Sequence, residues 1–209
     1  MIDTIGMTDI GNGRPSNQDA YLLRQKEKNG KLYLLAVVCD GMGGLKKGEI
    51  ASHYIVEVLK QWFDETLFDG LETMGIDMIE QNLIDLIRRI NQNLLLMSRR
   101  MEETKSMGST LTLLFVEEHE FFVLNVGDSR TYWFDRDRKF VTTDHTLAEL
   151  ELRAGHLTKE QLLEEEEIYQ VEASKEQIKE WVQKCFQKVK RRGELDNLSC
   201  VIVKVPNKK

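Results

Sequence analysis

Hydrophobic and polar residues alternate in short runs over the first forty positions, a pattern that is typical of β-strands. Residues 2–10 and 20–23 are short candidates, and residues 31–39 form a stronger one because their apolar run is nearly continuous. Between the first two strands, residues 11–19 contain two glycines and a proline, which predicts a loop. The chain is therefore expected to begin with three strands.

Two helices are predicted next, because apolar residues recur at intervals of three and four positions. The apolar face of the first helix is formed by Ile50, Tyr54, Ile55, Val58, Leu59, Trp62 and Phe63. The apolar face of the second, longer helix is formed by Ile76, Ile79, Leu83, Ile87, Ile90, Leu94 and Met97. Gly70 and Gly75 lie in the connection, so the two helices are expected to pack antiparallel.

The hydrophobic period returns to two after these helices. Residues 110–116, 121–126 and 129–134 predict three strands, and the tight turns between them favour an antiparallel meander. A final helix is predicted to begin at Ser174, because the spacing between this residue and Gln177 fits a capping box.

The last predicted strand, residues 198–205, is β-branched and apolar on both faces, so it is expected to be central in a sheet. Strands in meanders and helices in pairs indicate an α+β layered domain and not a parallel βαβ sheet. The chain has 209 residues, two prolines and no Pro/Gly/Ser-rich linker, which predicts a single domain over residues 1–209.

Composition narrows the functional classes. The net charge of −6 argues against non-specific nucleic-acid binding, which needs a basic surface. No apolar run approaches the roughly 20 residues of a membrane helix, and the N-terminus lacks a signal-peptide pattern. The three cysteines are widely spaced in apolar stretches and are expected to be buried and reduced. A cytoplasmic location without membrane or nucleic-acid partners is the expectation.

A carboxylate beside a glycine-rich turn is the first candidate for chemistry. Asp40 follows the apolar run 34–39 and precedes the glycine-rich segment 41–44. Glycines let the backbone turn sharply and let a ligand approach main-chain groups closely. A hard cation such as Mg²⁺ or Mn²⁺ prefers oxygen ligands of this kind. The alternative is a plain turn, since strands often end in Asp-Gly.

Further polar motifs accompany this turn in a fixed order along the chain. They are Arg14 with residues 17–20, residues 40–44 with 48–52, residues 108–110, residues 125–130 with 143–145, and Asp196 with Asn197. Taken singly, Arg14 would be a surface side chain and Asp196 part of a turn. In this order and at these spacings the motifs resemble those of the metal-dependent serine/threonine protein phosphatases, the PPM or type 2C family.

The resemblance implies a four-layer α-β-β-α sandwich of two antiparallel sheets, each flanked by a helix pair, with metals at one end. It also implies that two Mg²⁺ or Mn²⁺ ions, about 4 Å apart, activate a water that attacks phosphorus in line. Phosphorylated proteins are the implied substrates, and a serine/threonine kinase is the implied opposing partner.

The same resemblance implies roles for five residues of this chain. Asp40 would bridge the two metals, and the Gly41 carbonyl would complete one coordination shell. Asp196 would bind the other metal, and Asp19 would orient the waters that the metals hold. Arg14 would bind the phosphate oxygens through its planar guanidinium.

Two other polar residues have structural alternatives. Asp128 lies in a Gly-Asp-Ser hairpin and is expected to make turn hydrogen bonds. His145 is a candidate general acid toward the leaving alcohol, and capping a turn or packing against the sheet is the alternative. The acidic run 164–167 is expected to be a solvated helix face or helix end.

One expected segment of the family has no counterpart, because the sequence contains no Ser-Asp-Gly metal motif. Either residues 168–171 substitute for a core strand or the sequence omits a segment there. With one carboxylate fewer, the site is expected to hold one ion, or two more weakly. Two functions therefore stay open: an active phosphatase, or a catalytically impaired phosphatase-like module that binds or regulates phosphoproteins.

Overall fold

The computed structural model describes residues 2–43, 47–100, 107–134, 139–145 and 174–204. The strands are β1 Asp3–Asp9, β2 Asp19–Lys28, β3 Lys31–Met42, β4 Gly108–Ser109, β5 Leu111–Glu117, β6 Glu120–Val126, β7 Tyr132–Phe134, β8 Lys139–Val141 and β9 Leu198–Lys204. The α-helices are α1 Lys47–Gln61, α2 Ile76–Arg100 and α3 Lys175–Arg191. The expectations for residues 164–167 and 168–171 lie outside the described residues.

The larger sheet has the strand order β2-β3-β5-β6, and the short β4 pairs with the end of β3. All of these pairs are antiparallel. Strand β3 sends alternate side chains to opposite faces, so Tyr33, Leu35 and Val37 enter one core cluster and Leu34 and Ala36 enter another. Its nearly continuous apolar run is therefore explained by burial on both faces.

Helices α1 and α2 cover one face of the larger sheet and contribute most of its main core. Two side-chain hydrogen bonds define their relative direction. Asn93 Nδ2 donates to the Tyr54 hydroxyl at 2.9 Å, and Trp62 Nε1 donates to Asn82 Oδ1 at 2.8 Å. Residue numbers rise from Tyr54 on α1 to Trp62, in the helical turn that follows it, as those of their partners fall along α2, so the predicted antiparallel packing is confirmed.

Strands β1 and β9 pair antiparallel along seven residues each and pack on the other face of the larger sheet. Ile2, Leu34 and Ala36 fill the space between the two sheets. Helix α3 packs against β1 and buries Ile178 and Val182. The resulting order of α1/α2, larger sheet, β1–β9 and α3 is the expected four-layer α+β sandwich. Among the described elements one helix covers the second sheet, so the second member of that pair stays a prediction.

The third strand of the expected meander leaves the larger sheet, which corrects the sequence prediction. Strand β7 pairs with β8, not with β6. Gly127 has a φ of +104° and redirects the chain after β6. The Ser129 hydroxyl then lies 2.6 Å from that of Thr110, which precedes β5, and the Thr131 hydroxyl lies 2.6 Å from that of Thr112 on β5. These side-chain contacts hold the segment beside the start of β5.

The prediction that the last strand is central in a sheet stays a prediction, because the described part of the chain supplies a strand partner on one side of β9. Strand β9 has β1 as its strand partner there, and all seven of its residues are partly exposed. Its apolar residues on both faces are explained by the described layers. The β1–β9 sheet lies between the larger sheet and α3, so both of its faces contact apolar layers.

The start of α3 and the connection between α1 and α2 have the features that the sequence predicts. Ser174 and Gln177 form the predicted capping box, with hydrogen bonds of 2.7 Å and 3.2 Å between each backbone N–H and the other side chain. Gly70 and Gly75 adopt φ values of +100° and +86° in the connection between α1 and α2. None of the helices in the described ranges combines the length and apolar character needed to cross a membrane.

Candidate metal centre

Asp19 and Asp40 face each other at one end of the sandwich. They are directly paired across β2 and β3, and opposed residues of antiparallel strands project from the same face with Cβ atoms about 5 Å apart. The Ser199 hydroxyl on β9 donates to Asp19 Oδ2 at 2.6 Å, so this face is turned toward the second sheet. Asp19 is buried and Asp40 is half-buried.

The segment that follows α2 fixes the backbone of Asp40. The Asp40 N–H donates to Thr110 Oγ1 at 2.9 Å, and the Thr110 N–H donates to the Asp40 carbonyl at 2.8 Å. The Ser109 hydroxyl donates to the same carbonyl at 3.0 Å. The sequence motif at residues 108–110 carried no assigned role, and these contacts assign it the role of positioning Asp40.

Gly41 lies where the end of β3 meets the first turn of α1. A Cβ at Gly41 would collide with the Gly48 carbonyl and would lie 2.5 Å from the Gln18 carbonyl. The Gly41 N–H donates to Gln18 at 3.2 Å, and the Ser52 hydroxyl of α1 donates to the same carbonyl at 2.6 Å. The glycine therefore permits a backbone contact that holds the strand end, the loop and the helix together.

Arg14 and Asp196 are brought together from opposite ends of the chain. Arg14 Nε donates to Asp196 Oδ1 at 2.8 Å, and Arg14 Nη2 donates to Asp196 Oδ2 at 3.0 Å. Their side chains are 50% and 56% exposed. This is a bidentate pair, the geometry in which a guanidinium also binds phosphate.

Two residues that sequence reasoning left without a role organise this loop. Asn197 Oδ1 accepts the Gln18 N–H at 2.9 Å, and Asn197 Nδ2 donates to the Ile10 carbonyl at 2.8 Å. Ser199, which binds Asp19, was missed altogether. The signal that would have found it is strand alternation, because Ser199 precedes Val201 and Val203 at intervals of two and shares their face of β9.

The acidic side chains at the site perturb one another. The pKa of Asp40 is raised from 3.8 to about 6, chiefly by burial and further by the charges of Asp19, Asp196 and Asp128, while Arg14 opposes the shift. Burial also raises the pKa of Asp19. The hydrogen bonds from Arg14 lower the pKa of Asp196. Asp40 is therefore the carboxyl whose negative charge is least compensated among these three.

The chemistry of these donors fits a hard divalent cation. The Asp40 carboxylate accepts no hydrogen bond from the described residues and is repelled by its acidic neighbours, so a cation would relieve both effects. Within the described ranges no three His, Cys, Asp or Glu side chains converge closely enough to hold a metal as they stand. Both oxygens of Asp196 are held by Arg14. The Arg14–Asp196 pair therefore competes with a cation for Asp196.

His145 follows β8 and contacts the turn that follows β6. The backbone N–H of His145 donates to the Gly127 carbonyl at 2.9 Å, and the ring Nδ1 accepts the Gly127 N–H at 3.5 Å. Both contacts favour the turn-capping alternative. The neighbouring Asp144 holds Arg130 through two bonds of 2.8 Å and 2.7 Å. Asp128 makes no hydrogen bond within the described residues, so its expected turn contacts are absent there, and it acts on Asp40 through its charge.

A four-layer sandwich with opposed carboxylates at one end is the arrangement that the motifs implied, and a family match agrees with it. The model of the protein phosphatase 2C family matches residues 5–185. The chain belongs to the protein phosphatase 2C family.

The curated relatives are bacterial phosphatases. The serine/threonine phosphatase stp of Listeria innocua is 31% identical over 155 residues, which are 73% of this chain and 58% of that protein. The putative protein phosphatase 2C-type of Streptococcus pyogenes is 32% identical over 155 residues, 74% of this chain and 59% of its own length. The chain thus spans less than two thirds of the length of these relatives.

Solved structures share the fold. A bacterial serine phosphatase superposes with a TM-score of 0.84 at 23% identity, over 100% of both chains. The S. agalactiae serine/threonine phosphatase superposes with a TM-score of 0.80 at 22% identity, over 99% of this chain and 100% of its own. At these identities the likeness concerns the architecture alone.

Proposed function

We propose that this chain is a metal-dependent protein serine/threonine phosphatase that hydrolyses phosphoserine and phosphothreonine. One observation carries the proposal. A half-buried carboxylate without hydrogen-bond donors, Asp40, lies opposite Asp19 at the end of the sandwich where the Arg14 guanidinium is exposed. Negative charge that attracts a divalent cation therefore adjoins a group suited to phosphate.

Each side chain has a role in the proposed reaction. Asp40, the Gly41 carbonyl and Asp196 would hold one or two Mn²⁺ or Mg²⁺ ions. When bound, a divalent cation lowers the pKa of water and so supplies a nucleophile near neutral pH. Arg14 would grip two phosphate oxygens and align the phosphorus. Asp19 has Oδ2 bound to Ser199, which leaves Oδ1 to orient water.

The metal and the partners are proposed from the family. The catalytic domain of PstP, solved in complex with two manganese ions, superposes with a TM-score of 0.71 at 20% identity. Phosphorylated proteins are the proposed substrates, a serine/threonine kinase is the proposed opposing enzyme, and the cytoplasm is the proposed location. The family membership supports these assignments.

Phosphate release from a phosphothreonine peptide tests the proposal. The purified chain should release phosphate with Mn²⁺, lose this activity in EDTA and regain it when Mn²⁺ is restored. Asp40→Asn should lower the rate at least about a hundredfold, because metal-supported stabilisation is worth several kcal/mol. Asp85→Asn is the matched control, since it removes one exposed charge on α2, paired with Arg88. No release by the wild-type chain at any Mn²⁺ concentration would refute the proposal.

A second candidate is a phosphoprotein-binding or regulatory module on the same scaffold. Two observations favour it: Arg14 occupies both oxygens of Asp196, and no group of three metal-binding side chains converges within the described ranges. This candidate predicts that a phosphothreonine peptide binds the wild-type chain and Asp40→Asn equally, with no turnover by either. Measuring binding and release on the same preparations separates the two functions.

A further inference from the structure

The Arg14–Asp196 pair joins two groups that the proposed function uses separately. Asp196 presents both carboxylate oxygens to Arg14, at 2.8 Å and 3.0 Å. Because Oδ1 also accepts the Asn197 N–H at 2.9 Å, one lone pair on Oδ2 is left for a cation, and the adjacent positive guanidinium repels a cation there. Likewise, the guanidinium directs its Nε–H and one Nη2–H at Asp196 and not at an incoming oxyanion.

The backbone on both sides of this pair is packed too closely for the loops to move apart easily. A Cβ on Gly11 would collide with the Asp196 carbonyl, and a Cβ on Gly13 would lie 2.6 Å from the Leu195 Cβ. Asn197 ties the same turn to Ile10 at 2.8 Å. Asp196 Oδ1 is also held by the Asn197 N–H at 2.9 Å, so rotation of the Arg14 side chain is the opening that breaks fewest contacts.

There is space for that rotation beside the pair. A cavity of about 500 Å³ adjoins it and is lined by Gly13, Arg14, Gly193, Glu194, Leu195 and Asp196. Both side chains of the pair are half exposed, so water replaces the broken hydrogen bonds at little cost. An oxyanion that enters the cavity meets Arg14 at its wall.

We propose that the Arg14–Asp196 pair is a latch that couples the binding of a tetrahedral oxyanion to the binding of a divalent cation. A phosphate that takes Arg14 releases Asp196 for a cation, and a cation that takes Asp196 releases Arg14 for a phosphate. The first ligand to bind bears the free energy of opening the pair, and the second ligand binds without that cost. The inference rests on the proposed function, because it takes Arg14 as the phosphate group and Asp196 as a metal ligand.

The coupling is reciprocal by linkage: each ligand tightens the other by the same factor. An exposed ion pair contributes about 0.2–1 kcal/mol. Removing it should therefore tighten cation binding by up to about fivefold. A saturating oxyanion should produce a similar change in the wild-type chain and none where Arg14 is absent.

Calorimetric titration of MnCl₂ into the full, metal-stripped chain tests the latch without reference to turnover. Arg14→Lys keeps the positive charge but loses the bidentate hydrogen bonding to Asp196, and Arg14→Met loses both. We expect both variants to bind Mn²⁺ about two- to fivefold more tightly than wild type. Lys190→Met is the control for net charge, because Lys190 pairs with Asp9 at 2.9 Å and contacts neither latch residue. It should leave Mn²⁺ affinity unchanged.

The oxyanion arm uses sulfate, which is tetrahedral and cannot be hydrolysed. Sulfate should tighten Mn²⁺ binding to wild type and leave Arg14→Met unaffected. In wild-type protein, Mg²⁺ alone should shift the ¹⁵N–¹H resonance of the Arg14 Nε–H, which is assigned by its absence in Arg14→Met. That resonance reports directly on the hydrogen bond to Asp196.

The outcomes separate the latch from the proposed function. If Arg14→Met tightens Mn²⁺ binding but Arg14→Lys does not, the effect is net charge and the latch is refuted. If both variants match wild type while the wild-type chain releases phosphate from the peptide, the latch fails and the phosphatase stands. If wild type binds no Mn²⁺, the latch and the metal-dependent function fail together.

Discussion

Replacing Asp40 by Asn should stabilise the protein when no metal is bound. The carboxyl is half-buried, accepts no hydrogen bond from the described residues and faces other acidic groups. Asn has nearly the same shape and no charge. The backbone contacts of this position with Thr110 are unaffected by the change.

The magnitude follows from the pKa of this carboxyl. An increase from 3.8 to about 6 corresponds to about 3 kcal/mol in favour of the neutral form. Solvent screens a half-buried group, so we expect Asp40→Asn to gain roughly 1 kcal/mol at pH 7.5. The pKa of Asp40 is higher in the folded state than in the unfolded state. The free energy of unfolding of the wild-type protein therefore falls as pH rises from 3.8 through about 6. The advantage of the variant should shrink toward pH 4.

Urea unfolding in EDTA measures this difference, with equal m-values as the check on two-state behaviour. Adding Mn²⁺ should make wild type the more stable of the two proteins, because wild type gains binding free energy that the variant lacks. Asp196→Asn is the control of opposite sign: it removes the partner of Arg14 and should cost up to about 1 kcal/mol. If Asp40→Asn is less stable than wild type in EDTA at pH 7.5, the assignment of uncompensated charge to Asp40 is wrong.

Three further changes probe the frame around the site. Gly41→Ala should lower the free energy of unfolding in urea by about 3 kcal/mol or more, because the added Cβ collides with the backbone of α1 at Gly48. Gly108→Ala is the control, since its Cβ would have its nearest contact at 3.7 Å, and it should stay within about 0.5 kcal/mol of wild type. Equal losses in the two variants would contradict the close contact of Gly41 with Gly48. Ser174→Ala should lower the unfolding free energy by about 1 kcal/mol through loss of the cap, and an unchanged urea midpoint would contradict this. Asp144→Asn should cost about 1–3 kcal/mol in the same assay, because Arg130 loses both charged acceptor oxygens in a partly buried pair; a loss under 0.5 kcal/mol would oppose this estimate.

Local periodicity was enough to predict most elements. The strands at both ends of the chain, the antiparallel helices α1 and α2 and the capped start of α3 all follow from spacing and cap residues. The prediction failed where the partner of a strand mattered. Residues 129–134 alternate as a strand should, but alternation does not specify the neighbouring strand, which is β8, and their hydroxyls contact Thr110 and Thr112.

The site divides in the same way. The motifs indicated Arg14, Asp19, Asp40 and Asp196 as candidates, and the register of β2 and β3 follows from their short connection. The pairing of Arg14 with Asp196 spans 182 positions and depends on how β9 packs, which no local pattern encodes. The contact of Ser199 with Asp19 spans 180 positions and depends on the same packing.

The pairing of β1 with β9 has a consequence for the order of events during synthesis. Strand β9 leaves the ribosome after every other described element, and β1 has no other strand partner among them. The larger sheet and its two helices have nearby partners and can form first. Contacts across such a long separation form slowly. A nascent chain would therefore carry Asp19 and Asp40 in place but not Asp196, so that assembly of the complete centre would await arrival of the last strand.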